Sequence, residues 1–252
     1  AVATGEVVVR DEILPGAVLT RVAASHVRVG TFQYFAARGE DANVRRLADH
    51  VIARHYPGVQ GAPDRYLALL EAVSQAQAAL VAAWMHAGFI HGVMNTDNVA
   101  VSGETLDYGP CAFLDEYHPA KVFSSIDRHG RYAYGNQPPI AQWNLARLAE
   151  CLLPLFQRQG EEGVADARAV IEGFAGHYRS AWLDGLRRKL GLATAHEDDE
   201  ALGREFLAAL EAVAADYTLS FRALADALGG EPAGLPRTPA MDAWRARWQA
   251  RL

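Results

Sequence analysis

Cysteine and positive charge are both scarce in this sequence, and each scarcity argues against a class of protein. The 252 residues include 2 cysteines, Cys111 and Cys151, which lie far apart and without metal-type spacing. This argues against a disulfide-built fold and predicts two reduced thiols in a reducing, cytoplasmic compartment. The 24 basic residues are outnumbered by 30 acidic ones, for a net charge of −6. The sequence therefore lacks the basic footprint of proteins that bind nucleic acid, and we expect no nucleic-acid partner.

A long apolar run is also missing. The most apolar stretch, 76–84, is interrupted at Gln77 and is too short for a membrane span of ~20 residues. We therefore expect no transmembrane segment and no membrane partner. The sequence has neither an initiator methionine nor a signal-like start, so Ala1 is expected to be a boundary rather than the natural beginning.

The hydrophobic pattern predicts a mainly α protein of the α+β class. Two β-type runs, 6–10 and 17–22, are separated by the turn formers Pro15 and Gly16 and predict a short strand pair. Apolar residues at three- and four-residue spacing predict a series of helices after residue 42. The predicted helices are 43–56, from after Asp64 to Gly88, 140–155, 162–190, 198–214, 217–228 and 239–252.

Two polar segments in the first half carry the most chemical information. The first is His91-Gly92-Val93-Met94-Asn95-Thr96-Asp97-Asn98 and the second is Asp107-Tyr108-Gly109. Short β-type runs at 99–101 and 105–106 predict a tight hairpin between them. Kinase-like enzymes use this order of loop, hairpin and aspartate to gather oxygen ligands around Mg²⁺-ATP. Because Mg²⁺ takes oxygen ligands, Asn98 and Asp107 are predicted to bind it.

A purely structural interpretation of the same residues stays open at this point. Asparagine, aspartate, threonine and glycine are common turn residues, so either motif by itself also fits an ordinary turn. Their order, spacing and helix-hairpin context together favour a catalytic loop. His26 and His91 are interpreted as residues that brace loops, and Asn136, Gln137, Trp143 and Asn144 as candidates for positioning the segment after Asp107, with core packing as the alternative for Trp143.

Four stretches taken together resemble the selenoprotein O family. They are the segments 15–32, 88–98, 106–110 and 130–138, which begin PGAVLTRVAAS, GFIHGVMNTDN, LDYGP and GRYAYGNQP. The resemblance is close over 1–155 and looser beyond. It implies a protein-kinase-like fold and an enzyme that transfers AMP from ATP to Ser, Thr or Tyr hydroxyls of proteins.

The resemblance also implies roles for individual residues. Asp97 matches the catalytic base of the family, and Asn98 and Asp107 match its metal ligands, with Mg²⁺ expected and Mn²⁺ as the alternative. Arg21 and Arg28 match contacts to the ATP phosphates, and Asp107 takes part in cofactor binding through the metal. Guanidinium suits this role because its planar fork donates paired hydrogen bonds and stays charged. In small-molecule kinases with an HGD-type loop the base is the third motif residue, which here is Val93 and cannot accept a proton.

The expected organisation is a kinase-like C-terminal lobe without its N-terminal lobe and extreme C-terminus. Residues 1–42 form a strand-containing entry segment with the phosphate-binding arginines, 43–155 contain the catalytic loop and Asp-Tyr-Gly, and 156–252 form a helical bundle. The only lysines, Lys121 and Lys189, follow Asp107, and no glycine-rich cluster precedes His91. Since kinase-like folds place both features upstream, the chain by itself is expected to be inactive. The alternatives are a kinase-like phosphotransferase and a nucleotide-binding pseudokinase.

Overall fold

The computed structural model describes residues 1–9, 12–228 and 234–252. Helices dominate it, as the periodicity predicts, and two small two-stranded sheets complete it. The strands are β1 (Val2–Val9), β2 (Ile13–Val18), β3 (Phe89–Ile90) and β4 (Ala112–Phe113). The helices are α1 (Val29–Ala36), α2 (Asp41–His55), α3 (Arg65–Ala87), α4 (Gln137–Leu152), α5 (Gly160–Leu190), α6 (Asp199–Glu211), α7 (Tyr217–Ala227) and α8 (Pro239–Arg251).

The N-terminal strand pair is confirmed, but the predicted turn is wrong. β1 and β2 are antiparallel, and the chain reverses between Val9 and Ile13, so Pro15 and Gly16 lie inside β2. Pro15 is paired with Val7 at one end of a register irregularity, a position where a missing backbone donor is tolerated. Every residue of β1 is exposed, so this hairpin stands clear of the hydrophobic core.

Helix α1 was not predicted, because only β-type structure was expected in this region. It has 8 residues, and two of them, Val29 and Phe32, are buried. One pair of buried positions three residues apart is too little periodicity to distinguish a helix from a strand. This short helix matters because it packs against the turn 96–98, which contains Asp97 and Asn98.

Helix α3 is the central element and is confirmed with both of its predicted ends. Asp64 caps its first turn by accepting the Leu67 N–H at 3.0 Å, and Gly88 ends it in the left-handed conformation, φ 69°. Its 23 residues satisfy the length and composition expected of a membrane-spanning helix. We did not expect this from the sequence, where only the shorter run 76–84 was considered. Half of its most apolar window is buried inside the fold, where α3 packs against α4 and α5. It therefore serves here as a core helix.

The helices of the C-terminal half are confirmed within a few residues at each end. Trp244 and Trp248 of α8 are buried and donate their indole N–H groups to the carbonyls of Leu202 and Leu190. The acidic run 197–200 begins α6, and Asp199 within it is fully buried. Its carboxylate binds Arg187 of α5 at 2.7 Å and Arg251 of α8 at 2.8 Å. This carboxylate therefore ties three helices together.

The C-terminal end of α3 makes folding stability depend on pH. His86 contacts the Trp182 carbonyl through Nε2 at 2.8 Å, and burial lowers its pKa from 6.5 to about 4. As pH falls below 6.5, His86 becomes protonated in the unfolded chain, whereas in the folded chain it stays neutral until about pH 4. The free energy of unfolding therefore decreases as pH falls through this window. We expect His86→Gln to reduce the loss between pH 7.5 and 4.5 by about 1–3 kcal/mol.

Urea unfolding at both pH values measures this difference. The matched control is His118→Gln, since the His118 side chain is 55% exposed, and it should keep the wild-type dependence. An unchanged pH dependence in His86→Gln would show that other groups carry the acid sensitivity.

Candidate active site

The two motif segments lie in one loop that is closed at its base by a small sheet. β3 and β4 are antiparallel, with Phe89 opposite Phe113 and Ile90 opposite Ala112. The predicted hairpin at 99–106 is reduced to a single antiparallel bridge, Val99 to Thr105. Ala100 instead bridges to Arg28, so the run 99–101 is divided between two partners. The Val99–Thr105 bridge still joins the residue after Asn98 to the residue two positions before Asp107.

His91 connects the two motifs, which confirms its interpretation as a bracing residue. It is completely buried, and its Nε2 contacts the Leu106 carbonyl at 2.7 Å. The Val93 N–H lies 3.4 Å from Nδ1, so the neutral ring with its proton on Nε2 satisfies both contacts. Burial lowers the pKa of His91, which keeps it in this neutral form. The residue next to Asp107 is thereby fixed to the start of the catalytic loop.

Gly92 provides a second contact between the same two segments. Its φ is +84°, and a β-carbon at this position would lie 2.7 Å from the Pro110 carbonyl oxygen. Only glycine avoids both the strained backbone and this close approach. The chain after Asp107 therefore packs directly on the catalytic loop.

Asp97 and Asn98 lie in a 3₁₀ turn, Thr96–Asn98, whose first residue is capped by Asn95. Asn95 Oδ1 accepts the Asp97 N–H at 3.1 Å. The side-chain nitrogen of Asn98 donates to the Val93 carbonyl at 2.9 Å. This bond fixes the amide so that its carbonyl oxygen is the atom available to a cation, which is the ligand atom Mg²⁺ requires.

The exposed Asp97 side chain lies against Gly30 near the beginning of α1. A β-carbon added at Gly30 would overlap Asp97 Oδ1. The approach therefore depends on glycine at this position of the helix. The backbone of α1 fixes one side of the Asp97 carboxylate, and the Val29 N–H donates to the Val99 carbonyl at 3.0 Å to hold the two segments together.

Arg21 and Asp107 form an ion pair although they are 86 positions apart. Arg21 Nη1 lies 2.7 Å from Asp107 Oδ1, and the two side chains are 41% and 40% exposed. Asp107 has a φ of +60°, an uncommon conformation for a residue other than glycine that asparagine and aspartate tolerate best. The predicted phosphate contact and the predicted metal ligand are therefore brought together at the surface.

The segment that carries Arg21 is held by two residues that sequence reasoning missed. Glu104 accepts the Ala24 N–H at 3.1 Å, and Arg54 donates to the Ala24 carbonyl at 3.1 Å. The N–H of Ala24 lowers the pKa of Glu104, which keeps the carboxylate charged. Glu104 lies in the Ser102-Gly103-Glu104 turn. Its role in holding the segment that carries Arg21 is visible only from its hydrogen bond to Ala24.

Arg28 lies beside the catalytic loop, on the side of Ala100 rather than of Asp107. Its backbone N–H is bound by Thr31 Oγ1 at 3.1 Å. Its Nε is buried and makes no hydrogen bond within the described residues. An unsatisfied buried donor is unfavourable, and the phosphate contact predicted for Arg28 stays a prediction. The two predicted phosphate-binding arginines thus flank the loop from different positions.

Gln137 and Asn144 of α4 hold the catalytic loop from behind. Gln137 accepts the His91 N–H and donates to the Phe89 carbonyl, each at 2.9 Å. Asn144 donates to the Met94 carbonyl at 2.9 Å. These two residues therefore fix the segment before Asp97, and not the segment after Asp107 as predicted. Asn136, in contrast, does bind the segment after Asp107, because it donates to the Gly130 carbonyl at 2.7 Å.

Asn98 and Asp107 suit a cation that is bound partly by the protein and partly by substrate oxygens. Within the described residues no three His, Cys, Asp or Glu side chains converge into a metal site. Asn98 and Asp107 offer two hard oxygen donors, and the Asp107 carboxylate is already paired with a cationic group. Mg²⁺ commonly binds through one or two carboxylates together with substrate phosphates, so these residues fit such an ion.

Known proteins resemble the whole of this chain. The model of the family described as protein adenylyltransferase SelO matches residues 1–233. A protein nucleotidyltransferase YdiU of Rhodopseudomonas palustris (strain TIE-1) is 59% identical over 258 residues, which is 100% of this chain and 52% of the relative. A protein of the same name from Rhizobium etli (strain CIAT 652) is 56% identical over 258 residues with the same coverage. The chain spans about half the length of these relatives, and it belongs to the SelO family.

Proposed function

We propose that the whole protein transfers AMP from Mg²⁺-ATP to a Ser, Thr or Tyr hydroxyl of a protein substrate. The observation that carries this proposal is the Arg21–Asp107 contact at 2.7 Å, made beside a loop that presents Asp97 and Asn98. It joins the proposed phosphate-binding arginine and the proposed metal ligand at one exposed place. The names of the relatives, protein nucleotidyltransferases, support the same activity.

In this proposal each side chain has one task. Asn98 and Asp107 hold the metal ion, which neutralises phosphate charge when it is bound. Arg21 and Arg28 bind phosphate oxygens through charge-assisted hydrogen bonds. The substrate hydroxyl oxygen forms a bond to the α-phosphorus, the bond to the leaving pyrophosphate breaks, and Asp97 accepts the hydroxyl proton.

The exposed β1–β2 hairpin supports the division into lobes. Its apolar side chains, such as Val9 at 72% and Ile13 at 71% exposure, need a partner surface that the described residues do not supply. We assign that surface to the N-terminal lobe, which also contributes the lysine and the glycine-rich loop of kinase-like folds. ATP as substrate and the two free cysteines fit the predicted cytoplasmic location.

The decisive experiment compares this chain with a protein of the relatives' full length that contains it. Each is incubated with ATP labelled at the α-phosphorus and with candidate substrate proteins, and intact mass identifies the added group. We expect AMP addition by the longer protein and little or none by this chain. A phosphoryl addition, with about a quarter of the mass of AMP, would favour the phosphotransferase alternative. Equal activity of the two would contradict the division into lobes.

The close contact between Gly30 and Asp97 gives a further prediction. We expect Gly30→Ala to lower the transfer rate of the longer protein by about tenfold or more, because the new β-carbon displaces the Asp97 carboxylate and small misplacements of a reacting group are costly. The matched control is Gly176→Ala, where a β-carbon meets nothing within 4 Å. Equal rates for both variants would show that this contact does not position the carboxylate.

A further inference from the structure

We propose that Glu104 and Arg54 are positioning residues, which hold Ala24 from two sides and thereby fix Arg21 for its contact with the ATP phosphates. We call the side chains of Glu104 and Arg54 the Ala24 clamp. The inference rests on the proposed function, because it takes Arg21 as a phosphate contact. It gives a task in nucleotide binding to two residues that touch neither the metal ion nor the substrate hydroxyl in that function.

The clamp binds both backbone groups of Ala24. The two carboxylate oxygens of Glu104 accept the Ala24 N–H at 3.1 and 3.3 Å. Arg54 donates to the Ala24 carbonyl from Nε at 3.2 Å and from Nη2 at 3.1 Å. The backbone is therefore fixed three residues after Arg21, within about 10 Å of chain.

The segment 19–26, which carries Arg21, has little other support. It forms neither helix nor strand, and Val22 near its centre is 93% exposed. Within the described part of the chain, hydrogen bonds join this segment to residues distant in sequence only through the clamp and through the Arg21–Asp107 pair. Loss of the clamp would therefore leave Arg21 free to move whenever its contact with Asp107 is broken.

The clamp is attached to the helices of the core. A β-carbon at Gly103, next to Glu104, would lie 2.9 Å from a β-carbon of α3, so this turn lies directly on α3. Arg54 belongs to the last turn of α2, and the hydroxyl of Tyr56 at the end of that helix donates to the Val101 carbonyl at 2.6 Å. Both arms of the clamp are thus in place before ATP binds. A group that is already ordered loses less conformational entropy on binding.

The charge of Glu104 separates positioning from direct electrostatics. Glu104 and Arg21 line the same surface cavity, of about 490 Å³. A carboxylate in this cavity repels a phosphate anion, so electrostatics alone predicts that removal of Glu104 strengthens ATP binding. Positioning predicts the opposite, because Arg21 loses its support. The two roles therefore differ in the sign of one measurable effect.

The test measures binding of Mg²⁺-ATP and of adenosine to the longer protein by titration calorimetry, without a protein substrate. We expect Glu104→Ala to weaken ATP binding by about fivefold or more. Adenosine has no phosphate, so its affinity should not change. Glu104→Gln keeps an acceptor for the Ala24 N–H and should stay within about threefold of the wild type for ATP. Arg54→Lys keeps the charge but not the two fixed donors, and should weaken ATP binding in the same direction as Glu104→Ala.

A double-mutant cycle tests whether the clamp acts through Arg21. Arg21→Ala should itself weaken ATP binding by about tenfold or more, since it removes charge-assisted hydrogen bonds to phosphate. Once Arg21 is absent, Glu104→Ala should cost nothing further, because the clamp then has no guanidinium to place.

The matched control is Asp216→Ala, which removes a carboxylate that also accepts a backbone N–H. Asp216 caps α7 by binding the Leu219 N–H at 2.7 Å. We expect this variant to bind ATP like the wild type, even if its melting temperature falls. Thermal melts of all the variants verify that each is folded at the temperature of the titration.

Three results would overturn the inference: ATP binding by Glu104→Ala that is unchanged or tighter, an equal loss of adenosine affinity, or additive losses in the double variant. If Arg21→Ala bound ATP like the wild type, the phosphate role of Arg21 in the proposed function would be wrong, and the inference with it. A loss with Arg21→Ala but not with Glu104→Ala would overturn the inference alone. Because no transfer is measured, failure to add AMP to a protein would leave these affinities standing.

Discussion

Replacing Asp107 by asparagine or alanine is expected to abolish AMP transfer by the longer protein, a loss of more than about a thousandfold. In the proposed function the carboxylate would supply the charge that holds a metal ion beside the ATP phosphates, and neither substitute carries that charge. Asparagine is the cleaner variant because it tolerates the left-handed conformation of Asp107, φ 60°, as well as aspartate does. The exposed pair with Arg21 contributes little to stability, so both variants should fold.

Titration calorimetry with ATP, in the presence and absence of Mg²⁺, separates the role of Asp107 from general damage. We expect the variants to lose most of the Mg²⁺-dependent part of the ATP affinity. Asp226→Ala, which changes an exposed carboxylate on α7, should leave both affinity and transfer unchanged. An ATP affinity in Mg²⁺ that matches the wild type would remove Asp107 from the metal site.

The Asp97→Ala variant is expected to lose turnover by roughly 10²–10⁴-fold while it binds ATP nearly as well as the wild type. A general base acts on the substrate hydroxyl in the transition state and contributes little to the ground-state complex. The role of Asp97 can also be tested with Gly30→Ala, because the added β-carbon should displace the same carboxylate without removing it. The two defects combined should be no larger than that of Asp97→Ala alone.

Steady-state kinetics of the longer protein, with ATP varied at fixed protein substrate, distinguish the possible roles of Asp97. A fall in kcat with a nearly constant KM for ATP agrees with a base. If the defect appeared only in KM, Asp97 would be a nucleotide-binding residue. A variant as active as the wild type would leave the loop without an assigned base, since Val93 cannot take its place.

The helices could be predicted because their apolar stripes are long. Helix α3 shows eleven buried positions over its length, and Asp64 and Gly88 mark its ends by chemistry that acts within a few residues. Helix α1 has only two buried positions, and its periodicity is too short to recognise. The turn of the first hairpin was misplaced because Pro15 and Gly16 are used at a strand irregularity, which depends on the opposite strand and not on local preference.

The candidate site shows the same limit. The residue types of Asn98 and Asp107 follow from the chemistry of a hard cation, and their roles stay predictions. Local sequence contains no sign that Glu104 binds Ala24, 80 positions away, or that Gly30 makes room for Asp97. Such contacts depend on how α1 and the entry segment fold back onto the loop, and this is decided by packing over the whole chain.

The first hairpin has a practical consequence for work with this chain. β1 and β2 form a two-stranded sheet, so each strand has one outer edge whose N–H and C=O groups are not used in the pairing. Exposed valine, isoleucine and leucine side chains lie along both strands. An unprotected, apolar strand edge is a template for pairing with another molecule. Concentrated solutions of the isolated chain should therefore self-associate through this hairpin, and charged substitutions at Val7 and Ile13 should keep it dispersed.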